Sequence, residues 1–286
     1  MFSTRSAIRA AFLTSASYFQ GLSGLKSTAL RTPRVQFLYL HHVFPHEESS
    51  FRFLLSAIRR YATLISYSEA VRRVVQGEID RPYVSLSFDD GFQCCLRASQ
   101  ILDEFATTAC FFVCPQILDE QDPQKRRKYS TESIAFPRPV AFLAWDELDQ
   151  MVSRGHEVGA HTLSHVDLGH ISHLQLQNEV GSCRDRLQAM YGEPVHFAWP
   201  RGRWPNLSCT AMKYIAEAGF VSCASAVRGC HTAPPRSRRH LCIRRDHVLA
   251  NWPISHIEYF MTRNALRATN DTSHWPRHYS LAEIRD

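Results

Sequence analysis

The sequence predicts an α/β protein in which helices cover a parallel sheet, open or closed into a barrel. Three observations carry that reading. Apolar runs of strand length alternate with amphipathic segments of helical period from Val35 onward, and parallel strands need such crossovers. The 286 residues fit one large domain or two small ones, because single cores grow to roughly 250–300 residues before splitting. A composition of 44% hydrophobic and 21% charged residues is that of a chain with a core. Wholesale disorder is thereby excluded, and 12 Gly with 14 Pro exclude a collagen-like repeat.

The elements follow in order. VQFLY is a short β-rich run, and a helical stretch follows over Phe51–Arg60. In SYSEAVRRVVQG, Ala70, Val71, Val74 and Val75 share one face and Gly77 can end the helix. YVSLSF alternates as a half-buried strand does and ends in Asp89-Asp90-Gly91. A helix over Gln93–Phe105 and the apolar strand ACFFV come next, then a polar, basic loop over Gln121–Arg138. Trp145–Arg154 places Leu148, Met151 and Val152 at helical spacing, and Gly155 stops it. HEVGA is a strand that delivers HTLSH at its C-terminal end. Ser172 and Gln175 form a capping box for a helix that carries Leu176, Val180, Cys183, Leu187 and Met190 to Gly192. HFAW, a helix near Leu207–Ala218, and FVSCA complete the alternation. These six strands suit an incomplete (β/α) barrel of one domain, spanning residues 34–262 without a repeat or linker. Residues 1–33 form a basic N-terminal segment before it, and residues 263–286 a C-terminal tail.

Net charge is +6, and its distribution is uneven. Between Met1 and His46 stand Arg5, Arg9, Lys26, Arg31 and Arg34 with no acid. A second acid-free stretch, between Glu217 and Asp246, carries Arg228, Arg236, Arg238, Arg239, Arg244 and Arg245. Such stretches suit an anionic lipid head or a phosphorylated ligand, while the plainer reading is a solvated basic face. No nucleic-acid partner is expected. Ile8, Phe12, Phe19 and Leu22 fall at helical spacing. That helix is expected to pack on the domain, with peripheral membrane contact or a targeting role as alternatives. Nine cysteines cannot all pair, and most lie in apolar segments, as reduced core cysteines of a cytoplasmic protein do.

Three clusters carry chemistry, each where a strand runs into a loop. Asp89 and Asp90 are adjacent carboxylates that repel unless a cation or shared proton relieves them. Gly91 lets the chain turn so that both reach one pocket. His161 and His165 stand four apart, which on a helical turn projects both imidazoles from one face toward a common metal. With Asp90 they make a two-histidine, one-carboxylate set that fits catalytic zinc and also non-haem iron. The third cluster is the Pro200-Arg201-Gly202 turn after HFAW, whose backbone N–H groups could face a developing oxyanion.

SLSFDDGF, HTLSH and FAWPRG, in this order and spacing, resemble the polysaccharide deacetylases, carbohydrate esterase family four. The similarity covers roughly residues 35–262, with TACFFV and WDELDQMVSRGHEVGAH also in the family's style. It implies a distorted (β/α) barrel and removal of acetyl groups from N-acetylated sugars. Asp89 resembles the catalytic base, and Asp90, His161 and His165 the ligands of a divalent metal. Zinc is the first expectation, with cobalt, manganese and nickel as alternatives. Trp199, Pro200 and Arg244 are expected on the substrate side.

The chain also departs from the family. Where many relatives have Pro-Tyr this chain has Pro200-Arg201, which keeps the oxyanion N–H and changes the side chain to a cation. The arginine that orients the base aligns with Ala198, so Arg244 or Arg245 is its candidate substitute. No leucine–histidine motif supplies a general acid, and His41 is the first candidate for that role, His247 the second. The implied substrate is an N-acetylated oligosaccharide or polysaccharide precursor handled inside the cell. Two other readings compete. One is a catalytically silent sugar- or metal-binding protein of this fold, which would have no use for Asp89. The other takes His165-Val166-Asp167 as an iron-oxygenase motif, which belongs to all-β folds.

Overall fold

A computed structural model describes residues 4–192, 195–235, 241–268 and 275, with side chains from Ile8 onward. Arg236, Arg238 and Arg239 of the second basic stretch lie outside the described residues, as does most of the 263–286 tail.

Among the described residues, nine strands form one parallel sheet. They are β1 (Arg34–Leu40), β2 (Thr63–Leu64), β3 (Pro82–Phe88), β4 (Ala109–Val113), β5 (Glu157–Ala160), β6 (His196–Ala198), β7 (Ser222–Ala224), β8 (Cys242–Ile243) and β9 (Arg245–His247). Spatial order is β8-β7-β6-β5-β4-β3-β1-β9, with β2 added beside β3. β8 lies on β7 while β9 lies on β1, yet only Arg244 separates β8 from β9 in the chain. A single segment therefore spans both sheet edges and brings the barrel close to closure. The sequence suggested six strands. β2, β8 and β9 escape because two or three residues are too few to show a period.

Side-chain alternation divides the interior into two cores. Leu38, Leu40, Val84, Leu86, Phe88 and Phe111 face outward, against the covering helices. Val35, Phe37, Tyr83, Cys110, Phe112, Ala198, Ala224 and Ile243 fill the barrel. α4 (Tyr67–Gln76) plugs it with Tyr67, Ala70, Val71 and Val74. Ser66 caps this helix by accepting from the Glu69 N–H, and Gly77 ends it at φ 74°. Glu157, at the start of β5, accepts from the Ser68 N–H and hydroxyl and so ties the plug to the sheet.

The remaining helices cover the sheet. α3 (Glu48–Ile58), α5 (Cys94–Glu104), α8 (Trp145–Ser153) and α11 (Cys209–Glu217) match the sequence reading to within a few residues. The Ser172 capping box forms, but the helix behind it is α9 (His173–Leu176) and α10 (Cys183–Tyr191) around a π-helical turn at Gln177–Ser182. Two short helices, α6 (Pro115–Asp119) and α7 (Pro123–Lys128), follow β4, the second inside the basic loop. At the chain ends, α1 (Thr4–Leu22) and α2 (Leu25–Arg31) pack with α12 (Ile254–Arg267). α12 runs through the boundary drawn after Thr262 and buries Met261, Thr262 and Asn264. Seven of the nine cysteines are buried. Among the described residues no helix is long and apolar enough to cross a membrane.

Candidate active site

β3 sends Ser85 and Ser87 into the barrel, and the same alternation brings Asp89 to its mouth. The Asp89 N–H donates to the Leu40 carbonyl at 3.0 Å, so the strand pairing extends to this residue. Asp90 and Gly91 then take φ of 75° and 69°, which turns the chain sharply. Both carboxylates are buried.

His161 and His165 do reach Asp90, by a route other than the expected helical turn. The segment is an irregular turn in which Thr162 and His165 both have φ of 61°. Buried Glu179 pins it by accepting from the Ser164 N–H at 2.9 Å and the Ser164 hydroxyl at 2.7 Å. Four of the six non-glycine residues with positive φ among those described, Asp90, Thr162, His165 and Arg201, lie in the predicted motifs. Such strain persists only where surrounding contacts hold it.

Nε2 of His161 lies 3.4 Å and Nε2 of His165 lies 3.3 Å from Oδ1 of Asp90. Each Nδ1 faces a backbone carbonyl, Ala198 at 2.7 Å and Ser133 at 3.1 Å. A proton on each Nδ1 satisfies those carbonyls and leaves both Nε2 lone pairs aimed at Asp90. Oδ1 of Asp90 is buried without a hydrogen-bond partner. With both rings neutral, three acceptors converge with no donor between them, and the set fits a divalent cation with oxygen and imidazole ligands. Burial alone would lower the His161 pKa, but the Asp90 and Asp89 carboxylates outweigh it and raise it, so positive charge is favoured here.

Arg245 is the guanidinium that meets Asp89. Its two terminal nitrogens each donate to a different Asp89 oxygen at 2.8 Å, and Nη1 also reaches the Ser87 hydroxyl at 3.1 Å. Burial would push the Asp89 carboxyl up, yet Arg245 holds it below the usual carboxylate range. Alternation along β9 sends Arg245 and His247 into the barrel and Asp246 outward, where it accepts from Gln36, Arg228 and Asn264. Of the two candidate arginines, Arg244 takes no part in the clamp and lies over Trp204 at 5.6 Å.

His41 extends from the end of β1 toward the same pocket, its Nε2 3.9 Å from Oδ2 of Asp90. Its ring meets the His247 ring edge-on at 5.0 Å. Burial, followed by the charges of His41 and Arg228, lowers the His247 pKa to about 3. His247 is therefore neutral near pH 7, and its Nε2 is buried without a partner.

The turn after β6 separates into two environments. Trp199 is fully buried, stacked on Trp275 at 5.7 Å, with its indole N–H donating to the Arg203 carbonyl. Pro200 is buried as well, and packing rather than substrate contact accounts for both side chains. The Arg201 side chain is 57% exposed, its Nε 3.8 Å from Asp167. Gly202 has φ of 64°, and a Cβ there would come within 2.4 Å of the Ala226 Cβ. Asp167 accepts from Gly169 and Asn206, which, with the parallel sheet, removes the oxygenase reading.

Sequence reasoning missed Glu179 and the Ser133 carbonyl. The pattern from Leu176 to Leu187 did imply a buried helix face, but nothing local marks a glutamate on it as a partner of a distant turn.

The profile of the family described as polysaccharide deacetylase matches residues 76–220. Among solved structures, the Streptococcus pyogenes deacetylase PplD in complex with acetate gives a TM-score of 0.62 at 18% identity, covering 80% of this chain and 99% of that one. IcaB from Ammonifex degensii gives 0.59 at 19% identity, over 82% and 98%. The BpsB deacetylase domain from Bordetella bronchiseptica gives 0.57 at 17% identity, over 77% and 96%. These likenesses establish a shared fold. No curated protein matches the chain.

Proposed function

The chain belongs to the polysaccharide deacetylase family, and from that premise we propose that it removes N-acetyl groups by hydrolysis from an N-acetylated oligosaccharide or polysaccharide precursor. In that reaction water oxygen bonds to the acetyl carbon, the C–N bond breaks, and acetate and a free amine leave. The observation that carries the reading is the meeting of Asp90 Oδ1, His161 Nε2 and His165 Nε2 beside a clamped carboxylate at Asp89.

Asp90, His161 and His165 are the residues that would hold a divalent metal, zinc first, with positions left open for water and substrate. When bound, such an ion is a Lewis acid that lowers the pKa of water from about 16 to about 7. Asp89 accepts the proton of the attacking water. Its two oxygens are engaged by Arg245, but each retains a second lone pair. Arg245 keeps Asp89 ionised and oriented at no cost in rearrangement during the reaction. General-base help of this kind contributes roughly 10²–10⁴-fold. His41, partly exposed and beside Asp90, is placed to protonate the leaving amine. Neutral His247 packs behind it and limits where its ring can sit. The Arg201 N–H makes no hydrogen bond among the described residues and is available to the acetyl oxygen.

Acetate release from a panel of N-acetylated oligosaccharides by the zinc-loaded protein tests the proposal. Turnover on at least one of them, lost in Asp89→Asn with metal content unchanged, is the expected result. Metal binding without acetate release from any substrate would favour the silent binding protein.

A further inference from the structure

α1 buries one face and leaves the opposite face largely exposed, with Phe12 at its edge meeting the Tyr259 ring of α12 at 6.4 Å. Leu13 and Ser17 are buried, and Thr14 hydrogen-bonds His256 of α12 at 3.0 Å. Successive helix residues turn by about 100°, which places Ile8, Phe12, Ser15, Phe19 and Leu22 in one stripe opposite Leu13 and Ser17. Ile8, Phe12, Phe19 and Leu22 are 69%, 61%, 67% and 68% exposed. Tyr18 borders the stripe and Leu25 follows it, both exposed as well. Of the eleven exposed large hydrophobic side chains among the described residues, six fall between Ile8 and Leu25. Single exposed apolar residues are ordinary, whereas a concentrated patch marks a contact surface.

Charge identifies what covers it. α1, α2 and α12 together carry Arg5, Arg9, Lys26, Arg31, Arg263 and Arg267 against one acid, Glu258. That acid is paired to Lys26 at 3.1 Å. A second copy would bring a layer of the same sign against this one, while anionic headgroups complement it. We propose that α1 is an interfacial helix by which the protein docks on an anionic lipid surface. Its aromatic and aliphatic stripe enters the headgroup boundary, and the surrounding cations meet the headgroups. Arg9 lies over the Trp252 ring at 5.6 Å, and Trp252 meets His247 at 6.2 Å, so the docked layer borders the rim of the candidate active site.

The test reads binding and not turnover, so it stands apart from the deacetylase reading. The full chain is sedimented with phosphatidylglycerol–phosphatidylcholine vesicles and with pure phosphatidylcholine vesicles, at low and high salt. Wild type should bind the anionic vesicles preferentially and less at high salt. Phe12→Ser with Phe19→Ser should weaken binding by roughly tenfold or more, while Leu174→Ser, exposed on α9, leaves it unchanged. Arg31→Glu with Arg267→Glu, which spares the stripe, should weaken it independently and covers the case of a misfolded first variant. Absence of wild-type binding to anionic vesicles, or binding by both double variants equal to wild type, overturns the proposal. So does a wild-type dimer that the phenylalanine variant dissolves, which would assign the stripe to a second copy.

Discussion

Arg245 grips Asp89 through two 2.8 Å hydrogen bonds across 156 positions of sequence. Both side chains are nearly sealed from solvent, at 0% and 6% exposure. Taking two charges out of water costs several kcal/mol per ion. The bidentate geometry offsets that cost, with help from the Ser87 hydroxyl, the Ser225 carbonyl and the Tyr39 ring face 4.4 Å from the guanidinium.

Arg245→Met should therefore destabilise the fold by about 3–5 kcal/mol, because it strands a buried carboxylate. Arg245→Lys keeps the charge but loses the fork. In the lysine variant Asp89 is held down less firmly, so the acid limb of kcat/KM should move to higher pH. Denaturant unfolding and a pH–rate profile measure the two effects. An unmoved acid limb would separate Arg245 from the state of the base.

Glu179 acts on the turn that carries His161 and His165 from behind, through Ser164, which lies between the two histidines. Glu179→Gln should weaken zinc affinity by about 10–100-fold, the usual range for such outer partners, whereas His161→Ala should abolish stoichiometric binding. Chelator competition and elemental analysis give both values. Unchanged zinc affinity in the glutamine variant would show that the turn holds its strained shape unaided.

His247 links stability to pH. Its pKa falls from 6.5 to about 3 on folding, chiefly through burial. The unfolded chain therefore binds this proton between those values and the folded chain does not. Stability from this group is fully present above pH 6.5 and declines as pH falls toward 3, by up to about 1.4 kcal/mol per pH unit. His247→Gln should flatten the stability curve over that window, measured by denaturant midpoints from pH 7 to pH 4. An equal acid slope in both proteins would place the titration elsewhere.

Arg201→Ala should leave turnover of an uncharged N-acetyl sugar within about twofold, since an exposed arginine–carboxylate contact is weak and a backbone donor is indifferent to its side chain. A selective rise in KM for a phosphorylated version of the sugar, relieved by salt, would show that the guanidinium meets substrate. The comparison needs one sugar in both forms.

The layer architecture and three motifs were legible because they rest on local signals. YVSLSF alternates, Gly77 and Gly155 punctuate, and Asp89-Asp90 with HTLSH keep their chemistry side by side in the chain. Even there the backbone differs from the expected helical turn, since a spacing of four between histidines looks helical whether the turn is regular or strained. The Trp199 indole illustrates another limit, as an aromatic beside a motif reads equally as a sugar platform or as core, and only its stack on Trp275 decides.

By itself the sequence determined an α/β chain, the carboxylate and histidines of a candidate metal set, and an acid-free amphipathic N-terminus. Those depend on residue type and short spacing, which a linear string preserves. Only the tertiary structure decided which arginine meets Asp89, because that choice follows from β8 and β9 joining opposite edges of the sheet through one residue. It also decided which face of α1 is buried, since periodicity defines a stripe but not its neighbour. Leu13 and Ser17 found α12, and the stripe of Ile8, Phe12, Phe19 and Leu22 was left to solvent.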